Sequence, residues 1–229
     1  MKKLLVEFIG TFFLVFTIGT AITAKTAIPG LAIGSVLMVM IYAGGHISGA
    51  HYNPAVSLAV YLRGKMKGGE MIQYWIVQLV GGLLGAIISY YITGNNPDAI
   101  HHAPGIGYYL HSNNPDAQNV DGSSLIPLAA EFFGTFALAY VVLNVATSKN
   151  TAGNSFYGMA IGFTVFSMAA SLGGISGGAF NPAVGLGRNV AEMILEGTMV
   201  SAFWIYIVGP LAGGALAGFT FNMLNPEDR

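Results

Sequence analysis

The sequence predicts an all-α membrane protein: six transmembrane helices plus two re-entrant half-helices, arranged as an inverted repeat. Three observations carry this. Of 229 residues only 8% are charged and 54% are hydrophobic, with mean hydropathy +0.63, whereas soluble domains carry about 25% charge. Six apolar blocks approach the roughly 20 residues that cross the hydrocarbon of a bilayer. The tetrapeptide Asn-Pro-Ala-Val occurs twice, at 53–56 and 181–184, inside otherwise apolar sequence.

The blocks run over Leu4–Ala24, Ile28–Ala43, Met71–Thr93, Leu125–Thr147, Phe156–Leu172 and Met199–Leu224. Two further pieces, Asn53–Leu62 and Asn181–Ile194, are too short to cross, reaching about halfway at about 1.5 Å per residue. Each opens on Asn-Pro, and Asn is a preferred N-cap while Pro fits the first helical position. A helix start at membrane depth is tolerated only where it lines a cavity. The 32 glycines fit closely packed membrane helices. Lys2, Lys3, Arg63, Lys65, Lys67, Lys149 and Arg229 fall on one side with both termini, and Lys25 and Arg188 on the other. The positive-inside rule then places both termini in the cytoplasm. The Lys2-Lys3 start imitates a leader, but Glu7 interrupts its apolar region, so an uncleaved first span is expected.

The halves repeat. Glu7-Phe-Ile-Gly-Thr-Phe12 matches Glu131-Phe-Phe-Gly-Thr-Phe136, Leu31-Ala-Ile-Gly34 matches Met159-Ala-Ile-Gly162, and Gln78-Leu-Val-Gly-Gly82 answers Pro210-Leu-Ala-Gly-Gly214. An odd number of spans per unit makes the second copy enter from the opposite side. The expected domain is a single channel unit over 1–229, with repeats at about 1–94 and 125–229 joined by an extracellular loop at 95–124. Asn53 and Asn181 should then meet near the midplane.

Other classes are poorly supported. Net charge −1 gives no basic face for nucleic acid, and no Gly-rich phosphate loop is present. With no Cys there is no disulfide, thiol chemistry or Cys-based metal site. No nucleophile, base and acid converge, so an enzyme is not expected, and neither a cofactor nor a metal is called for. A secondary transporter uses the same architecture, but Glu7 and Glu131 are the only carboxylates within predicted spans. A purely adhesive membrane protein would show no permeability on reconstitution.

Gly45-His-Ile-Ser-Gly-Ala-His-Tyr-Asn-Pro-Ala-Val56, the second Asn-Pro-Ala, the paired Glu-x-x-Gly-Thr starts and Val208-Gly-Pro-Leu-Ala-Gly-Gly214 together resemble the aquaporin, or major intrinsic protein, family over nearly the whole chain. The resemblance implies a pore in each protomer of a homotetramer in the cell membrane. Such a pore passes water and small neutral solutes such as glycerol, urea, ammonia or hydrogen peroxide, and excludes protons and ions. It makes Asn53, Pro54, Ala55, Asn181, Pro182 and Ala183 the pore motifs. Each Asn would cap its own half-helix and keep amide donors for the lumen. The loops Gly45–Tyr52 and Gly174–Phe180 are expected to be extended, with carbonyls of Gly45, His46, His51 and Gly177 forming a ladder of acceptors. Glu7 and Glu131 are intramembrane carboxylates, which by default suggest a proton relay; in this fold they are expected to hold the re-entrant loops.

One departure stands out. The family's filter usually has an Arg after the second Asn-Pro-Ala; here the four filter positions are Ile33, Ala169, Gly178 and Val184, all small or aliphatic. A wider, more apolar constriction is expected, similar to vacuolar-type plant members. Arg188, one turn beyond Val184, could lean toward the mouth, but contact with loop carbonyls or a neighbouring chain is the favoured expectation. His46 and His51 are expected as neutral, loop-fixing imidazoles. His101, His102 and His111 offer weak signs of a metal or pH sensor, against a structured vestibule loop as the plainer reading.

Overall fold

The computed structural model describes residues 1–101, 124–198 and 202–228. It is all-helical, with no strand among the described residues. The helices are α1 (Lys2–Thr23), α2 (Pro29–Ser48), α3 (Pro54–Leu62), α4 (Gly68–Ile92), α5 (Leu125–Val142), α6 (Tyr157–Ser176), α7 (Pro182–Glu196) and α8 (Ile205–Leu224). Six are long and apolar enough to cross a membrane, α5 together with its continuation to Thr147. The other two, α3 and α7, have 9 and 15 residues.

Two boundaries correct the sequence reading. Helix α2 runs on to Ser48 and α6 to Ser176, so only 49–52 and 177–180 remain non-helical before the half-helices. Gly44 and Gly45 stay helical although glycine costs about 1 kcal/mol per residue in a helix interior, because packing in the bundle outweighs propensity. Termination waits for Gly49 and Gly177, both at φ +89°, whose N–H groups cap the carbonyls of Gly45 and Gly173 at 3.0 and 2.9 Å. These left-handed positions suit a residue without Cβ. Gly45 and His46 therefore sit in the last turn of α2, and the Gly45 carbonyl is spent on the cap.

Helix α5 ends in a π turn over Leu143–Thr147. Its loosened carbonyls are taken up by side chains: Thr151 Oγ1 donates to Asn144 O (2.6 Å), Asn154 Nδ2 to Val145 O (2.7 Å) and Arg63 Nη2 to Thr147 O (2.8 Å). Polar backbone at a membrane boundary is thus satisfied within the protein.

Packing follows the repeat. Helix α1 lies on α4 and α5 on α8, while α2 crosses α6. Each half-helix docks on the last span of the other repeat, α7 on α4 and α3 on α8. The approach is close: a Cβ on Gly82 would collide with the backbone of Ala183, and one on Gly214 with that of Ala55. Ile76, Phe133, Phe163 and Phe219 point outward, as side chains facing hydrocarbon should.

Candidate functional site

The two Asn-Pro starts meet. Asn53 (φ −157°, ψ 121°) and Asn181 (φ −162°, ψ 114°) are extended N-caps with Pro next in each helix. Asn53 Oδ1 accepts the Ala55 N–H at 2.8 Å, and Asn181 Oδ1 accepts that of Ala183 at 2.9 Å. The amide groups are not both free, as the sequence suggested. Asn53 Nδ2 donates to Phe180 O (2.8 Å) and Asn181 Nδ2 to Tyr52 O (2.9 Å), so each cap is tied to the opposite loop. A primary amide has two N–H groups, which leaves one per Asn. The two helix N-termini, each equivalent to about half a positive charge, are thereby brought together.

Each loop rests on one buried glutamate. Glu7 Oε1 accepts from Ser48 Oγ (2.7 Å) and His51 N–H (3.0 Å), and Oε2 from Tyr52 N–H (2.7 Å) and Gln78 Nε2 (2.9 Å). Glu131 accepts from Ser176 Oγ (2.7 Å), Ala179 N–H (2.9 Å) and Phe180 N–H (2.6 Å). Hydrogen bonds to a charged acceptor contribute about 1.5–3 kcal/mol each and work against the desolvation of each buried carboxylate. The bracing also holds strained backbone: Ala50, Tyr52 and Phe180 have φ of 52°, 50° and 47°, a left-handed region costing about 1–2 kcal/mol for residues with a Cβ.

The loops border a narrow cavity of about 30 Å³, room for about two waters. Asn53, Asn181, His51, Ala50, Gly178 and Ala179 supply its polar side, and apart from Tyr52 the rest is aliphatic, including Leu14, Leu37, Val56, Leu138 and Val165. Of the four filter positions, Ile33, Gly178 and Val184 line it; Ala169, one turn along α6 from the lining Val165, does not. A wider cavity of about 520 Å³ adjoins it, lined by Gly45, His46, Gly49 and residues 145–149 and 151–154 among others. Thus Gly45 and His46 border this vestibule, not the narrow lumen. Gly177 serves as the cap of α6 and lies outside both linings.

His51 is held by a chain absent from the sequence reading. Ser57 Oγ donates to Asn53 O (3.1 Å) and lies 3.0 Å from His51 Nδ1 and 3.1 Å from Gln78 Nε2. The direction of the His51–Ser57 hydrogen bond is set by the imidazole tautomer. Trp75 Nε1 further donates to Pro54 O (2.9 Å). The i, i+4 spacing of Asn53 and Ser57 was the only local hint. Arg188 is 1% exposed and turned from the lumen: Nη2 donates to the carbonyls of Asp98 (3.1 Å) and His101 (2.6 Å). His101 Nδ1 lies 3.3 Å from Glu192 Oε1; His102 and His111 lie outside the described residues. Among the described residues no group of three or more His, Asp or Glu could hold a metal ion.

Six crossing helices and two half-helices meeting at capped N-termini over a narrow lumen define a membrane channel built on an inverted repeat. The model of the family described as major intrinsic protein matches residues 1–221. "Aquaporin NIP1-1" of Zea mays is 32% identical over 232 residues, covering 98% of this chain and 75% of that one. "Aquaporin AqpM" of Methanothermobacter marburgensis is 32% identical over 253 residues, covering 99% and 98%. The X-ray structure of the aquaglyceroporin from Plasmodium falciparum has a TM-score of 0.77 over 99% of this chain and 97% of its own; at 23% identity this is likeness of fold. The chain belongs to the major intrinsic protein, or aquaporin, family. It is a multi-pass membrane protein and a passive channel for water or small solutes, and the transporter alternative is not favoured.

Proposed function

We propose a pore that conducts water and, through its apolar filter, small neutral solutes such as glycerol, urea, ammonia or hydrogen peroxide, while excluding protons and ions. One observation carries the reading: Asn53 and Asn181 line one narrow cavity, each keeping an N–H beside a helix N-terminus. A water accepting from both amides cannot also accept a proton from its neighbour in file, which interrupts hopping. The two positive dipole ends repel hydronium and metal cations at low dielectric. Ile33, Gly178 and Val184, with Ala169 behind them, form the outer filter; the carbonyls of residues 49–51 and 178–179 give passing solutes acceptors. Glu7 and Glu131 brace the loops.

The chain functions as a single channel domain of two repeats, as a homotetramer in the cell membrane, with both termini and the basic residues Arg63, Lys65, Lys67 and Lys149 in the cytoplasm. Purified protein in liposomes tests this by light scattering after osmotic shock with each solute, with an internal pH dye for protons. Non-saturating water flux above empty liposomes, with low activation energy and no added proton leak, is expected. Saturable, gradient-coupled uptake would overturn it in favour of transport.

A further inference from the structure

The narrow lumen and the vestibule share four lining residues, Ile41, Ala50, Val142 and Ile161. They come from α2, the first re-entrant loop, α5 and α6, so they ring the passage from four elements. All four are buried, at 3%, 7%, 7% and 4% exposure, and all four side chains are hydrocarbon.

The inverted repeat shows what is unusual about this ring. Ile41 and Ala169 stand equally far before Asn53 and Asn181, as do Ala50 and Gly178; Ile161 answers Ile33, and Val142 answers Ile18. Three of the four ring members are therefore pseudo-symmetric images of outer-filter residues; Val142 answers a residue outside that filter, and Val184 has Val56 as its counterpart. At the three matched positions Ile replaces Ala, Ala replaces Gly and Ile is kept, a net gain of roughly four carbons on the vestibule side. Geometry agrees with composition. Ile41 reaches the lumen, whereas its counterpart Ala169 is not among the lining residues. Ala50 keeps its methyl at φ 52°, a conformation in which its counterpart Gly178 (φ 66°) has no Cβ to strain.

From this we infer that solute size is limited at the vestibule-side neck of Ile41, Ala50, Val142 and Ile161, with Ile41 the specificity-determining residue, and not at the outer filter. The inference rests on the channel reading above and locates its cut-off. A hydrocarbon ring offers no replacement for a solute's hydration shell, so it passes small uncharged molecules and discriminates against bulkier polyols by both width and desolvation.

The test uses the full chain in liposomes, measuring water, urea, glycerol and erythritol permeability for wild type, Ile41→Val, Ile41→Ala and Val184→Ala. Removing buried carbons at a limiting contact should change discrimination by about tenfold or more, so Ile41→Ala is expected to raise the glycerol-to-water ratio by that order, with Ile41→Val intermediate and Val184→Ala smaller than either. Because the chain has no Cys, Ile41→Cys gives a second measurement that needs no cavity: a bulky thiol reagent should block water flux. An unchanged ratio in Ile41→Ala together with unblocked flux in modified Ile41→Cys, or a larger shift from Val184→Ala, overturns the neck. Wild type no more permeable than empty liposomes overturns the channel reading itself.

Discussion

The two re-entrant arms are the same where they meet and different where they are anchored. Both present Ser, a left-handed aromatic and Asn-Pro-Ala-Val, and both hang on a glutamate from the first span of their repeat. Behind the first arm stands the polar chain His51, Ser57 and Gln78; the counterpart positions behind the second are Ala179, Gly185 and Pro210. There the space is filled by close packing, Gly185 lying against the Tyr206 ring. Symmetry is thus kept at the Asn caps and their glutamate braces and relaxed in the groups behind them. Two buried solutions, polar and apolar, support one arrangement of donors.

The largest test removes the glutamates. Glu7→Leu orphans four donors and Glu131→Leu three. Each buried unsatisfied donor costs about 1–3 kcal/mol, which is large against a total of about 5–15. Both variants should lose most folded protein in detergent, Glu7→Leu at the lower temperature by size-exclusion recovery after heating; the reverse order would break the claim that the first arm leans harder on its glutamate. Next come Asn53→Ala and Asn181→Ala. Each loses a cap, about 1 kcal/mol, and a cross-arm bond of about the same size. About 2 kcal/mol from either is expected, together with reduced water flux, and unequal losses would show that the meeting point is less symmetric than its hydrogen bonds.

How far these arms were legible follows from the range of each interaction. The Asn-Pro caps and the paired glutamates announce themselves locally, because capping and repeat matching need only neighbouring residues. The ends of α2 and α6 did not, since Gly44 and Gly45 look like loop residues until tertiary packing holds them helical. The bonds from Asn53 to Phe180 and from Asn181 to Tyr52 join residues 127 and 129 apart, and no local pattern marks them. The filter positions could be counted from the Asn residues, but whether a side chain reaches the lumen depends on its length and on helix rotation. That is why Ile33 lines it and Ala169 does not.

A smaller effect is expected from Gln78→Leu. Glu7 and Ser57 each lose a donor, yet the buried Gln78 Oε1, which has no partner, disappears as well. The net loss should be about 1 kcal/mol, read as a modest fall in melting temperature. A loss as large as that of Glu7→Leu would mean that the polar chain, and not the glutamate, carries the first arm.

The finest distinction lies in the buried arginine that each arm carries. Arg188, in the second, donates to loop carbonyls. Arg63, which caps the first, donates to Thr147 and the Asp228 carbonyl, lies over the Phe221 ring and pairs with Asp228 Oδ1 at 3.2 Å. Burial pushes the Asp228 carboxyl up, but the Ser148 hydroxyl, the Lys149 N–H and Arg63 outweigh it and hold it below its ordinary 3.8. A carboxyl depressed in the folded state stabilises fully above its unfolded value and stops doing so as pH falls through the folded one. The first arm should therefore have a pH-dependent anchor. Wild type should exceed Asp228→Asn in melting temperature by a constant margin between about pH 6 and 8, with the margin closing below about pH 4. A margin that is absent at neutral pH, or that widens in acid, would reduce this end of the first arm to the same carbonyl-type hold seen in the second.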